Sequence, residues 1–131
     1  MFQNHQNNYL RTTVQTASPA QLLIMLYDGA IRNSRMAIEA IDLRKPADAN
    51  RHLIKTQDII SEFIITIDHK SSFSSYLLQL YDYLLFRLRE ANVRKDKSIV
   101  QEVLDFLVEM KEMWIEASRS LVKVGVNSKH A

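Results

Sequence analysis

The chain has 131 residues, 47% hydrophobic and 24% charged, with no cysteine and only two glycines and two prolines. That length suits one domain whose folding buries roughly two thirds of the unfolded surface, and the balance is that of a globular chain, neither disordered nor membrane-embedded. Too few turn formers remain for a sandwich or barrel, the missing cysteines exclude disulfides, thiolate nucleophiles and Cys-ligated zinc, and a net charge of +2 is too small to draw nucleic acid or a membrane.

The opening stretch, residues 1–18, holds six Asn or Gln and a single charge, Arg11, with no helical apolar repeat. It predicts a flexible N-terminal arm whose Phe2, Tyr9, Leu10 and Val14 can dock on a groove but cannot build a core. It has neither the cationic start nor the apolar stretch of a secretion signal, and no run reaches about 18 apolar residues, so a cytoplasmic protein without membrane insertion is expected.

Ser18-Pro19-Ala20-Gln21 then offers an N-cap hydroxyl, a proline at the first helical position and the Gln of a capping box, which starts a helix at Pro19. At about 100° per residue, Gln21, Asp28, Arg32, Arg35 and Glu39 share a narrow polar stripe, and Leu22, Leu23, Met25, Leu26, Ala30, Ile31, Ala37 and Ile41 spread around the rest. Lys45-Pro46 ends that helix and opens a second one to about Asp68, with Leu53, Ile60, Phe63, Ile64 and Ile67 inward and Arg51, Lys55, Asp58 and Glu62 outward. A serine cluster around Phe73 precedes a third helix, carrying Leu77, Leu80, Tyr81, Leu84, Leu88 and Ala91 and ending near Asn92. Asp96 or Ser98 caps a fourth, whose inward positions are Val103, Leu104, Leu107, Met110, Trp114 and Ala117 and whose limit is Gly125. Short connections make neighbours antiparallel. The expected class is all-α, an antiparallel up-down four-helix bundle over residues 19–124, with a flexible arm before it and a disordered tail over 125–131.

The residues for catalysis are missing. No Glu-x-x-His marks a di-iron site, and His5, His52, His69 and His130 are scattered, which suits surface or structural roles better than metal binding. Glu102, Asp105, Glu109, Glu112 and Glu116 align on one face of the fourth helix, either as a site for a cation or basic partner or, the favoured reading, as the solvated side opposite the core. Neither a phosphate loop nor a nucleotide motif is found, so no cofactor and no enzyme are expected. Arg87, Arg89, Arg94, Lys95 and Lys97 form a basic corner with too few aromatics for a nucleic-acid platform.

There is, however, an apolar surplus. Leu78 and Leu85 lie a heptad apart beside the inward arc of the third helix, with Tyr76, Tyr83 and Phe86 beyond, while Ile54 and Ile65 flank the charged stripe of the second. Such a patch meets a partner helix in a groove, a second subunit or the chain's own arm, unless the core is thicker than one arc.

Four ordered stretches resemble one family. Thr16-Ala17-Ser18-Pro19 with Leu23-Ile24-Met25-Leu26-Tyr27-Asp28-Gly29-Ala30-Ile31 comes first, then Ala49-Asn50 with Leu53 to Ile60, then Leu80-Tyr81-Asp82-Tyr83 through Arg87-Leu88 to Glu90-Ala91-Asn92, and finally Glu102-Val103 to Trp114 with Glu116-Ala117. In order and spacing they resemble the flagellar export chaperones of the FliS family. The resemblance implies a cytoplasmic chaperone that binds the C-terminal helical segment of flagellin, prevents its premature polymerisation and docks on the cytoplasmic domain of the export gate protein FlhA. The helical wheel's apolar surplus supplies the groove candidates, Ile54, Ile65, Leu78, Leu85 and Phe86, and the resemblance implies Tyr9 as the export-gate candidate. A homodimer when unloaded is the alternative use of the patch, and other flagellar regulators stay open as partners. Two departures stand out: Asn4-His5-Gln6 replaces the family's Asn-Pro-Tyr, and Lys70-Ser71-Ser72-Phe73 replaces its Gly-Gly-Glu-Ile.

Overall fold

Ser18 opens the first helix, α1 (Pro19–Asp42), through a reciprocal pair of bonds: its Oγ accepts from the Gln21 N–H at 3.2 Å and its own N–H donates to Gln21 Oε1 at 2.9 Å. The computed structural model describes residues 18–67 and 72–130, with residues 72 and 121–130 as backbone only. The expected arm over 1–18 therefore lies outside the described residues except for Ser18. Three further helices follow, α2 (Pro46–Thr66), α3 (Ser72–Arg94) and α4 (Lys97–His130), and no strand occurs among the described residues.

Both short turns stop a helix in the same way. After α1 the Lys45 N–H bonds Ala40 O and the Arg44 N–H bonds Ile41 O, with Arg44 left-handed at φ 55°; after α3 the Asp96 N–H bonds Ala91 O, with Lys95 at φ 51°. These are Schellman closures in which a long cationic residue takes the position that glycine usually fills. Asp96 then caps α4, its Oδ1 accepting from the Ser98 N–H at 2.9 Å. Two bounds differ from expectation. α3 runs to Arg94 rather than Asn92, and α4 continues as helix through Gly125 to His130, where a limit and a disordered tail were expected. A glycine costs a helix only about 1 kcal/mol and keeps its N–H, so the ladder passes through it.

Contacts between helices pair falling residue numbers with rising ones: Asp42 with Lys97 and Asp28 with Lys111 between α1 and α4, Asn33 with His52 and Tyr27 with Phe63 between α1 and α2, Arg87 with Glu102 and Tyr83 with Phe106 between α3 and α4. The bundle is antiparallel, up and down, with α1 most extensively packed on α2 and α4 and α3–α4 the least extensive of the four main helix contacts. α1 approaches α2 closely because its inner face is small: Gly29, Ala30, Ser34, Ala37 and Ala40 are buried, and a Cβ on Gly29 would stand 3.3 Å from Ile59 Cδ1.

Most inward residues fall where the periodicity puts them, including Leu53, Ile60, Phe63, Leu77, Leu84, Leu88, Val103 and Leu107. Ala117 is instead exposed and Trp114 half-buried, while Ile99 and Val100 join the core. Two features escaped the wheel. A buried polar pair joins α1 and α2: Asn33 Nδ2 donates to Gly29 O at 2.9 Å, which turns its Oδ1 toward His52 and makes His52 Nδ1 the donor at 2.9 Å. His52 thus has a structural role on the buried face of α2.

The second is an aromatic junction. Tyr27 of α1 is fully buried, stacks on Phe63 of α2 at 4.5 Å between centroids, and shares a 2.9 Å hydrogen bond between hydroxyls with Tyr81 of α3. Trp114 of α4 donates its indole N–H to the same Tyr27 hydroxyl at 3.2 Å. Burial first, and then the bond to Tyr81, pushes the Tyr27 phenol far above its ordinary pKa, so it stays neutral.

Desolvation, reinforced by Arg51 and Lys55 and opposed by Asp48, lowers the His52 pKa below 6.5. Below about pH 6.5 the unfolded chain therefore binds a proton that the folded chain refuses, and stability falls as pH drops through that window. Denaturant titrations at pH 7.5 and 5.5 are expected to show a larger loss for wild type than for His52→Gln; equal losses would discharge His52. In the same assay Trp114→Ala is expected to cost about 2–3 kcal/mol, less than a fully buried ring, and Tyr27→Phe about 1–2 kcal/mol because the Trp114 N–H and Tyr81 hydroxyl lose a partner. A loss under about 1 kcal/mol for Trp114→Ala would place its ring outside the junction.

Candidate functional site

Between the first turns of α3 and the middle of α4 lies an apolar cleft of about 280 Å³. Phe73, Tyr76, Leu77 and Leu80 form one wall, with the i, i+3, i+4, i+7 spacing of a single helix face; Phe106, Met110, Met113, Trp114 and Ala117 form the other. Tyr76 and Met113 are 64% and 60% exposed, and Phe73 is also largely in water. Trp114 is held in its wall from behind, by the bond to Tyr27.

A polar clamp joins the two helices beyond the cleft. Tyr83 Oη donates to Glu102 Oε1 at 2.6 Å, Arg87 Nε and Nη2 reach the two Glu102 oxygens at 3.3 and 3.1 Å, and Arg87 Nη1 bonds Glu90 at 2.9 Å. The Tyr83 ring meets Phe106 edge-on at 6.4 Å, so the clamp abuts the apolar wall. The Tyr83 hydroxyl, and next Arg87, hold the Glu102 carboxyl below the usual carboxylate range, which keeps it charged at neutral pH. Glu102 is accordingly not part of a free acidic stripe, and the basic corner is largely neutralised: Arg87 and Arg94 pair with Glu90, and Lys97 with Asp42. No group of three or more His, Asp or Glu is placed to hold a metal among the described residues.

The five groove candidates from the sequence are not gathered here; none lines the cleft. Ile54 and Ile65 are exposed on α2, the latter at 71%, Phe86 is 62% exposed on α3, and Leu78 is half-buried. Leu85 is a correction: at 7% exposure it belongs to the core cluster. α3 packs against both α2 and α4, so its buried arc is wide enough to take adjacent Leu84 and Leu85. The cleft residues were legible in retrospect as Phe73-x-x-Tyr76-Leu77-x-x-Leu80 and as two methionines, flexible side chains suited to adaptable surfaces, on one face of α4. Tyr9 lies outside the described residues.

The fold is a four-helix bundle with an open apolar cleft, and its relatives define the class as flagellar export chaperone. A family model described as "Flagellar protein FliS" matches residues 1–121. The "Flagellar secretion chaperone FliS" of Bacillus subtilis (strain 168) is 33% identical over 118 residues, covering 90% of this chain and 89% of that relative. The protein of that name from Salmonella typhimurium is 30% identical over 112 residues, covering 83% of each. A solved structure titled "Crystal structure of flagellar chaperone from bacteria" superimposes with a TM-score of 0.74 at 17% identity, over 92% of this chain and 99% of that one, which supports the fold. The chain belongs to the FliS family. Among the described residues no helix is long and apolar enough to cross a membrane.

Burial separates the two sets of residues. Met113→Asp is expected to change stability by less than about 1 kcal/mol, since its side chain is already in water, whereas Leu85→Asp puts a charge in the core and should cost more than about 3 kcal/mol or prevent folding. Circular dichroism with denaturant titration checks both; a fully stable Leu85→Asp protein would return Leu85 to the surface.

Proposed function

We propose that the α3–α4 cleft takes the C-terminal helical segment of flagellin in the cytoplasm, shields it from premature polymerisation and presents it to the cytoplasmic domain of the export gate protein FlhA. The observation that carries this reading is the cleft itself, with large side chains from both helices left in water although Tyr27, Phe63 and Tyr81 behind it are buried. A chain segment disordered when free gains a helix by laying its apolar stripe between two such walls. The α4 wall from Phe106 to Ala117 is about 16 Å long at 1.5 Å per residue, room for about three turns. Exposed Ile54, Ile65 and Phe86 remain proposed outlying contacts for a partner that continues around the bundle, with half-buried Leu78 beside them.

A second reading rests on one feature. Tyr76, Tyr83, Phe86 and Val93 are exposed at spacings of 7, 3 and 7 along α3, a seam of the kind through which two copies pair. Mass measurement over a dilution series decides between them: a 1:1 complex on adding a flagellin C-terminal peptide supports the chaperone reading, and a dimer that ignores the peptide supports the other. In that titration Met113→Asp and Tyr76→Asp are expected to weaken binding at least about tenfold with helicity unchanged. Wild-type affinity in both would move the site off the cleft. Tyr9, a ring with few rotamers to freeze, is proposed as the gate anchor, exposed when flagellin is bound. Loaded Tyr9→Ala protein should then bind the FlhA domain more weakly than loaded wild type; equal affinity removes Tyr9 from the mechanism.

A further inference from the structure

On the other side of α4, its contact with α1 does not close along its whole length. Lys97–Asp42 joins the two helices near one end at 2.8 Å and Lys111 pairs with Asp28 farther along. From the Lys97–Asp42 end an open furrow runs along this contact, about 560 Å³ where Arg35 faces Asp105 and Glu109, continuing past Glu112 into a recess of about 370 Å³ that Arg32, Ile115 and the Asp28–Lys111 pair line. Its floor is apolar, with half-buried Ile38, Val108 and Ile115. Asp28 on α1 and Lys111 on α4 also line the recess but pair with each other, and the remaining charges give the rims opposite sign: Arg32 and Arg35 on α1, and Asp105, Glu109 and Glu112 on α4. Among the described residues neither arginine, nor Glu109, nor Glu112 makes an ion pair or hydrogen bond, and Asp105 accepts only from Gln101 of its own helix. Complementary charges that face each other across a groove and stay unpaired are available to a third element lying between them.

We propose that this furrow docks an amphipathic helix of a second partner protein, its aliphatic stripe on Ile38, Val108 and Ile115, an acidic flank along Arg32 and Arg35, and a basic flank along Asp105, Glu109 and Glu112. The surface goes beyond the α3–α4 cleft and does not depend on what fills it; the two flank the outward ridge of α4, where Glu109 borders both. The chain's own first 17 residues do not fit, because they contain no Asp or Glu and a single Arg. A second copy does not fit either: its matching face is concave, so the rims would meet while both floors stayed uncovered. One protruding helix fills the groove and satisfies both rims.

The probe is a designed helical peptide of about five turns with a leucine stripe, Glu along one flank and Lys along the other, against controls with Lys or Glu on both flanks. Wild type should bind the mixed peptide at least about tenfold more tightly than either control. Arg32→Glu/Arg35→Glu, at two exposed positions, should transfer the preference to the all-Lys peptide with helicity unchanged. Met113→Asp should bind the mixed peptide as wild type does, as should protein saturated with the flagellin peptide. Failure of the mixed peptide to bind, an unchanged preference in the double variant, or loss of binding in Met113→Asp would overturn the proposal. So would competition by the flagellin peptide, which would make the furrow part of that segment's path.

Discussion

Tyr27 is the point on which the four helices agree. Its ring and hydroxyl touch Phe63, Tyr81 and Trp114, one residue from each of the other helices, so the position of any one element is set against the remaining three. A purely aliphatic core tolerates sliding by a fraction of a turn, whereas hydrogen bonds between buried hydroxyls and an indole lose most of their value when misaligned. The burial that makes the phenol neutral also makes it costly to leave unpartnered, and this favours a single register. The same junction reaches the surface through Trp114, whose indole is bonded inside while its ring lines the cleft. Cleft shape is thereby coupled to the best-packed part of the bundle.

The helices divide the work unequally. α1 presents Gly29, Ala30, Ser34, Ala37 and Ala40 inward and lets α2 and α4 come close, which gives extensive contacts between backbones and short side chains. α3 is built the other way, with large apolar side chains on nearly every side, and its contact with α4 is the least extensive of the four between neighbouring helices. A tight frame and a loosely apposed, apolar fourth element are what a binding bundle needs, since stability resides in one part and receptivity in the other.

Caps and periodicity made the architecture legible in the sequence. Ser18 with Gln21, Pro46 and Asp96 mark helix starts by local chemistry, and the structure uses each of them. The site was much less legible. A helical wheel assigns one inward arc, and α3 has two packing neighbours, so Leu85 counted as surplus although it is core. Met113 and Tyr76 could not be placed from one helix alone, because a cleft is a relation between two helices and depends on how far apart they stand. Nor does periodicity announce His52 and Asn33: polar residues on an inward face become favourable only once their partner on the neighbouring helix is known.

Beside the cleft, α3 and α4 are joined by polar rather than apolar contacts. An apolar side chain exposed in the folded state is exposed in the unfolded state as well, so Phe73, Tyr76 and Met113 do not destabilise the bundle; they forgo a contribution of about 25 cal/mol per Å² that closure of the cleft would supply. Hydrophobic attraction alone would therefore draw the two helices together. Glu102, held by Tyr83 and Arg87, instead joins α3 to α4 through side chains several bonds long at fixed donor–acceptor distances, just beyond Phe106. A polar contact of this kind joins the helices without filling the space between them. Replacing it with close apolar packing would gain stability at the expense of the opening, which is why the charged network belongs to the architecture of the cleft as much as the aromatic walls do.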